Sequence, residues 1–353
     1  MTIEPDQTRS PLTIGITMGD PAGIGPETIV KALADESLRN RARFIIYGLH
    51  EPFAYAADLA ELHPYWTRVP HEEALACHDS VVVADFDEIA IEGRPIRQPT
   101  AEQGRASIRF LDQAIADARH DRIQAIVTAP IHKSAWKLAG VAYPGHTEYL
   151  AHCFRSRRVA MMFTGGPLRV ALASVHEPLF ELRNSFTIGR VFQAIDLFHQ
   201  ALRDWFDIPV PKIAACGLNP HAGENGQFGD EEIRVIQPAL DMARHAGIHA
   251  EGPFPADTLF LRAVQGEFDG VVAMYHDQAL IPVKLLAFDR AVNITLGLPV
   301  VRTSPDHGTA YDIAGKNLAD PGSLKSAIKM ALELAGKRRK LSSPPAPIEE
   351  IRE

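Results

Sequence analysis

Three histidines, His176, His221 and His276, each follow a short apolar run, and each stands in or just before a stretch rich in Gly, Pro or polar residues. Neutral imidazole is a common ligand of zinc and similar ions, and a catalytic metal takes about three protein ligands with one position open. The three are far apart in sequence, so no local motif such as H-E-x-x-H carries a metal reading. The alternative is three separate histidines donating to nearby backbone. Asp257 and Asp277 stand where they could add a ligand or orient an imidazole. His276 also opens the run Tyr275-His-Asp-Gln278, with Lys284 eight residues further on.

A second set of residue types suits an anion. Lys284, Asn293 and Arg302 fall on successive segments after His276. Arg would hold a phosphate or carboxylate by a bidentate fork, Lys as a point charge. Surface salt bridges are the competing reading for each cation. Gly145-His-Thr-Glu-Tyr-Leu150 places His146 and Thr147 just before an apolar helical pattern. Free backbone amides there would face an anion, with His146 either its partner or only a cap. His132 and Lys133 close Thr128-Ala-Pro-Ile-His-Lys133, which reads as an anion-facing loop or a solvated helix start.

The elements that must position these groups alternate between strand and helix. Apolar runs at 12–18, 44–48, 81–84, 123–128, 159–163, 168–173, 213–218 and 271–274 read as strands. Helical periodicity marks 54–62, 101–118, 187–206 and about 323–334, with Thr187 or Ser185 as the cap of the third. The Tyr275-to-Lys284 run reads as the polar loop that follows a strand, where open α/β sheets bind ligands. Such alternation implies an α/β fold with a largely parallel sheet. The Thr164-Gly-Gly-Pro turn between two apolar runs adds an antiparallel pair and a second subdomain. Gly19 to Glu27 lies between a strand and a helix, but Gly23, Gly25 and Thr28 complete only half of a G-x-G-x-x-G fingerprint. It is either a tight turn or a ligand-lining loop carrying Asp20.

Composition narrows the class. The 353 residues are 46% hydrophobic and 23% charged, with a formal net charge of −8, an ordinary globular balance that disfavours nucleic acid as a partner. Cys77, Cys153 and Cys216 show no paired spacing, which fits a reducing compartment. No apolar run approaches the ~18 residues of a membrane span. Met1 to Ser10 is polar and does not read as a signal peptide. A cytoplasmic enzyme is the expectation, with the ends, 1–10 and 341–353, as flexible tails.

Several longer motifs then stand in order: Gly19-Asp-Pro-Ala-Gly-Ile-Gly-Pro-Glu27, Thr128-Ala-Pro-Ile-His-Lys133, Gly145-His-Thr-Glu148, Asn219-Pro-His-Ala-Gly-Glu224, Pro255-Ala-Asp-Thr258, Tyr275-His-Asp-Gln278 and Asp306-His-Gly-Thr-Ala310. Together they strongly resemble the 4-hydroxythreonine-4-phosphate dehydrogenase family, from about Leu12 to Leu334. Ala279, where a glycine is usual, and His132, where some members carry Asn, are local departures. The resemblance implies a two-domain fold like isocitrate and isopropylmalate dehydrogenases, mostly parallel with some antiparallel strands, and not a Rossmann fold. The implied domains are 11–140 plus 300–340, and 141–299 with the dimer interface. It implies a homodimer whose active site lies at the subunit interface, with a divalent metal (zinc, magnesium or cobalt) on His176, His221 and His276. Substrate contacts would fall on His146, Thr147, Lys284, Asn293 and Arg302, and Lys284 and Asp277 are the candidate proton acceptors. No cofactor-binding residue is identified, and NAD and NADP both stay open.

The implied reaction oxidises the C3 hydroxyl of 4-phosphooxy-L-threonine. The β-keto acid, 2-amino-3-oxo-4-phosphooxybutanoate, then loses carbon dioxide to 3-amino-2-oxopropyl phosphate, on a route to pyridoxal phosphate. Related enzymes acting on D-erythronate or D-threonate 4-phosphate, or on cis-dihydrodiols of aromatic dicarboxylates, use similar anion-binding types. A non-catalytic phosphate-binding protein of the same fold is the alternative from another class.

Overall fold

The computed structural model of the chain describes residues 11–89 and 98–341. It begins β1 (Thr13–Thr17), α1 (Gly25–Leu33), α2 (Glu36–Arg39), β2 (Arg43–Gly48), α3 (His50–Leu59), β3 (Thr67–Pro70) and β4 (Val81–Asp85). There follow α4 (Ala101–Arg119), β5 (Ala125–Thr128), α5 (Lys133–Leu138), α6 (His146–Cys153), β6 (Ala160–Gly165), β7 (Leu168–Leu172), α7 (Leu182–Ser185) and α8 (Ile188–Trp205). The chain continues with β8 (Ile213–Cys216), α9 (Gln237–His245), β9 (Ala250–Phe254), α10 (Ala256–Val264) and β10 (Gly270–Ala273). It ends with α11 (His276–Ala287), β11 (Val292–Leu296), β12 (Val301–Pro305) and α12 (Gly322–Leu341).

All twelve strands join one sheet in the order β3-β4-β2-β1-β5-β12-β11-β6-β7-β10-β8-β9. Pairing is parallel except at β12–β11, β11–β6 and β6–β7, where the register is antiparallel. This order and its antiparallel centre differ from the doubly wound Rossmann sheet. Parallel strands carry helices on both faces and therefore read as continuous apolar runs. Val81-Val-Val-Ala-Asp85 and Gly270-Val-Val-Ala273 are buried at every position. Thr187 caps α8, as its sequence predicts, and Thr100 closes a capping box with Gln103 at the start of α4.

Two close approaches need glycine. A Cβ at Gly25 would lie 2.1 Å from the Met18 carbonyl, so only glycine lets the first loop fold back on β1. A Cβ at Gly104 would lie 2.2 Å from the Ala135 carbonyl, which sets how tightly α4 packs on α5.

Some expectations change. The stretch after β10 is no loop: α11 starts at His276 itself, so Asp277 falls in its first turn. Pro282 sits inside that helix, and this proline together with the polar residues of the first turn disguises it. The last helix runs past Leu334 to Leu341, because Lys337 Nζ bonds the Trp205 carbonyl at 2.7 Å and pairs with Asp207 at 2.6 Å. β3 and β9 were not legible as strands, since both are edge strands with little or no full burial. Apart from Leu341, the tails expected at 1–10 and 341–353 lie outside the described residues. All three cysteines are free thiols. No described helix is long and apolar enough to cross a membrane.

Candidate active site

A cleft opens where the antiparallel centre of the sheet meets the carboxyl ends of β5 and β7. Its walls include Thr128, Lys133, His146, Thr147, Glu148, His176, Asn293, Arg302, Asp306 and His307. Arg302 lies on β12, only 3% exposed. Its Nη2 donates to Thr128 Oγ1 at 2.7 Å and its Nη1 to Thr295 Oγ1 at 3.1 Å, while the buried Nε has no partner. Burial lowers its pKa to about 10, which still leaves it cationic at neutral pH. Hydroxyls, not a carboxylate, hold this guanidinium. A buried cation without a counter-ion is costly, and a ligand anion is the group that would complete it.

The neighbours are arranged to the same end. Asn293 and Ser304 face each other across the β11–β12 register, and Asn293 Oδ1 is buried without a partner. Lys284 lies two turns beyond His276 on α11, about 12 Å along the axis. It reaches Asp306 Oδ2 at 3.1 Å, at the cleft edge. His146 and Thr147 begin α6, and Thr147 is buried. The Trp136 ring meets His146 edge-on at 5.5 Å between centroids, and its Nε1 donates to Ser107 Oγ on α4 at 2.9 Å. That chain of contacts fixes the imidazole. Burial, and then the Arg302 charge, push the His146 pKa well below the usual histidine value, so it is neutral in the cleft.

The three strand-end histidines come from three neighbouring strands, β7, β10 and β8. Leu172 pairs with Ala273, so His176 and His276 leave the sheet side by side, and Ser174 Oγ ties the two exits by bonding the Met274 carbonyl at 2.7 Å. Their ring centroids are 5.5 Å apart. His276 Nδ1 donates to Asp277 Oδ1 at 2.7 Å, which leaves Nε2 as a free lone pair. Burial, with Lys133 and His276 nearby, lowers the His176 pKa and favours its neutral, ligating form. Two imidazoles sharing a tetrahedral ion through bonds of about 2 Å have rings roughly 5 Å apart, so the pair fits a divalent metal.

His221 does not join them. Among the described residues, no group of three His, Cys, Asp or Glu side chains is close enough to hold a metal. His221 opens a left-handed turn, with φ of 52° at His221, 52° at Ala222, 42° at Glu224 and 56° at Asn225. Such residues each cost roughly 1–2 kcal/mol, and their clustering is typical of functional sites. Buried Glu232 anchors the turn: its Oε1 accepts from the amides of Leu218 and Asn219, both at 2.8 Å, and its Oε2 from Asn219 Nδ2 at 3.0 Å. Gln278 links this base to α11, donating to the Gly217 carbonyl at 2.8 Å and accepting from the Met274 amide at 2.7 Å.

Asp20 and His132 are engaged within the protein. Asp20 accepts from Tyr311 Oη at 2.5 Å and from the Ala22 amide at 3.0 Å, so the glycine loop is a docking turn for the segment after β12. His132 caps α5 and stacks on Tyr311, while Lys133 faces the cleft. Asp257 is exposed on the first turn of α10. Reading the sequence missed Glu148, Asp306 and His307 as cleft residues, although all three lie inside quoted motifs. It also missed Thr128 and Thr295 as partners of Arg302; the signal at Thr128 was a hydroxyl inside an otherwise apolar, fully buried strand.

The family model for "Pyridoxal phosphate biosynthetic protein PdxA" matches residues 40–331. The chain belongs to the PdxA family. It is 46% identical to a 4-hydroxythreonine-4-phosphate dehydrogenase of Desulforapulum autotrophicum over 320 residues, covering 90% of this chain and 94% of that one. It is 45% identical to a D-threonate 4-phosphate dehydrogenase of Cupriavidus necator over 329 residues, covering 92% and 98%. The crystal structure of the 4-hydroxythreonine-4-phosphate dehydrogenase of Klebsiella pneumoniae superposes with a TM-score of 0.81 at 38% identity, covering 93% of this chain and 99% of that one. The chain is thus a PdxA-family dehydrogenase with the family's mixed α/β fold.

Two expectations follow for this PdxA-family site. Glu232→Ala removes the acceptor of three donors, and urea unfolding should show a loss of about 2–4 kcal/mol, with proteolytic nicking near the His221 turn. Glu232→Gln should retain most of the stability, and equal losses would show that the charge, not the bonding, matters. For His146, the unfolded chain binds a proton below about pH 6.5 that the folded protein does not. Stability is therefore complete above that pH and falls as pH drops toward the lowered folded-state pKa. His146→Gln should flatten the dependence of unfolding free energy between pH 6.5 and 5 by up to about 1.4 kcal/mol per pH unit. An unchanged slope would show that His146 already titrates normally.

Proposed function

We propose that the cleft oxidises the C3 hydroxyl of 4-phosphooxy-L-threonine, using NAD or NADP as hydride acceptor. The product, 2-amino-3-oxo-4-phosphooxybutanoate, loses carbon dioxide to give 3-amino-2-oxopropyl phosphate. The observation that carries the reading is Arg302, a buried guanidinium with an unpartnered Nε and, among the described residues, no carboxylate on it, facing a cleft within a PdxA-family fold. The similarity to a D-threonate 4-phosphate dehydrogenase supports the second reading, a 2-hydroxy substrate at the same site.

In this mechanism Arg302, Lys284, His146 and Thr147 hold the substrate's anionic groups and Asn293 contributes a neutral contact. His146, kept neutral, offers a hydrogen bond without adding a charge beside Arg302. His176 and His276 would hold zinc, magnesium or cobalt. His221 completes the set from a second copy of the chain, since it stands apart from the pair within one chain. When bound, the ion supplies Lewis-acid polarisation at the reacting hydroxyl and nicotinamide supplies the hydride acceptor. Lys284, paired with Asp306 at the cleft edge, would take the hydroxyl proton only after passing its own to Asp306, and Asp277 acts through the His276 imidazole to which it bonds.

The same reading places the protein in the cytoplasm as a homodimer with its site at the subunit interface. It also takes 11–140 plus 300–340 and 141–299 as two domains, supported by a sheet order that separates β1–β5 and β12 from β6–β11. Support for the dimer comes from α11, which carries His276 and Lys284 and also exposes Ile281 (60%), Leu285 (82%) and, just beyond it, Phe288 (77%). Residues spaced by four and three form one helix face, and so much exposed apolar surface marks an interface.

Purified protein given 4-phosphooxy-L-threonine, NAD and a divalent ion should produce NADH, followed at 340 nm, with carbon dioxide release. Absence of turnover on this compound would sink the primary reading. His176→Ala, His221→Ala and His276→Ala should each lose bound metal by elemental analysis, and Asp277→Asn should weaken metal affinity about 10–100-fold. Normal metal content in all three alanine variants would remove the histidine set. Leu285→Asp should shift the protein from dimer to monomer in light scattering and abolish metal binding with it. A dimer that persists in this variant would place the interface elsewhere.

A further inference from the structure

The strand exits that lead to His176, His276 and His221 are joined to one another by side chains as well as by the sheet. Continuing the parallel register of β10 and β8, in which Val272 pairs with Ala215, sets Met274 opposite Gly217, just past the end of both strands. The Gln278 side chain fills the gap between them. Its Oε1 accepts from the Met274 amide at 2.7 Å, and its Nε2 donates to the Gly217 carbonyl at 2.8 Å. On the other side Ser174 Oγ donates to the Met274 carbonyl at 2.7 Å. Both backbone groups of Met274 are thus engaged in holding neighbouring exits. Gln278 and Ser174 are both buried.

A primary amide offers a donor and an acceptor, as a peptide unit does, so Gln278 adds one more rung to the ladder where the two backbones part. Each end of that rung bears on a histidine. Gln278 is the third residue of α11, two after His276, so holding it fixes the first turn of the helix. At the other end, a Cβ on Gly217 would lie 2.7 Å from Ala222 Cα and 2.8 Å from Ala222 Cβ, so the residue next to His221 packs directly on Gly217. Glu232 gives the His221 turn its internal shape, through the amides of Leu218 and Asn219. Gln278 gives that turn its place relative to His276.

We propose that Gln278 is a positioning residue for the metal-binding histidines, setting the spacing between His276 and the His221 turn. This rests on the histidine set proposed above, in which His276 serves the ion of its own chain and His221 that of a second copy. One side chain then registers the donors of two ions against each other. If Gln278 served only to satisfy two buried backbone groups, its loss would lower stability and leave metal affinity alone.

The test measures Co²⁺ affinity by competition with a chelator, and the visible absorption of the bound ion, in full-length wild type, Gln278→Met, Gln278→Glu and Thr187→Ala. Gln278→Met keeps the length of the side chain and drops both bonds. It should bind Co²⁺ about 10–100-fold more weakly, with an altered absorption band and with the His221 turn still resistant to proteolysis. Gln278→Glu keeps the acceptor for the Met274 amide and should lose less. Thr187→Ala removes the cap of α8, away from the cleft, so it should lower stability while Co²⁺ affinity stays within about twofold of wild type. A Gln278→Met affinity within about twofold of wild type, or a loss that Thr187→Ala shares, would overturn the assignment. If Gln278→Met does not fold, Gln278→Asn, one methylene too short to span both partners, decides on the same terms. A wild type that binds no Co²⁺ removes the histidine set and this role with it. A wild type that binds Co²⁺ without oxidising 4-phosphooxy-L-threonine removes the proposed reaction alone, because neither affinity nor absorption depends on turnover.

Discussion

A guanidinium buried at the centre of a twelve-stranded sheet, met by hydroxyls and, among the described residues, by no carboxylate, is the constraint around which the cleft is built. Arg302 can be there only because β5 and β11 flank β12 and place Thr128 and Thr295 against its two terminal nitrogens. Those hydroxyls fix the fork without neutralising it. Had Glu148 or Asp306 closed on it as an ion pair, the cation would be satisfied and the cleft would have little reason to bind an anion. Asp306 is instead engaged by Lys284, and Glu148 stays at a distance from which it acts only through its field. The protein thus retains an unmet electrostatic demand that a ligand can answer, and desolvation makes each answering contact stronger than it would be in water.

The histidines follow from sheet topology more than from their own neighbours. Because β7, β10 and β8 are adjacent and parallel, three exits open on the same edge, and each is followed within a few residues by a histidine. Two of them meet directly. The third is carried off by a run of left-handed residues that would relax at once without Glu232 gripping the turn from below. A strained, anchored loop holding a solvent-facing imidazole has little purpose within one chain. The apolar face of α11, on the same helix that begins with His276, is likewise left exposed within one chain.

Much of this was legible in the sequence. The apolar runs gave most strands to within two or three residues because parallel strands buried on both faces leave an unbroken signal. The residue types at His146, Thr147, Lys284, Asn293 and Arg302 suggested an anion site, and all of these but Lys284 line one cleft. What failed did so for physical reasons. The helix at His276 was hidden by Pro282 and by polar residues in its first turn, and β3 and β9 by their position at the sheet edges. Asp20 looked like a ligand-lining group, yet its partner Tyr311 lies nearly three hundred residues away, and such a pairing leaves no local trace.

The same limit explains Glu148. In the sequence it is a first-turn acid, well placed to interact favourably with the amide end of α6, and that local role accounts for its type without residue. Only the fold shows that it and Lys133 flank one glycine, that Arg302 lies within reach of its field, and that none of the three forms a salt bridge among the described residues. Charge in a site is informative when it is left unpaired, and pairing is a property of three-dimensional neighbours. The composition of a cleft names the ions it could attract. The subset that the protein declines to neutralise names the ones it is shaped to receive.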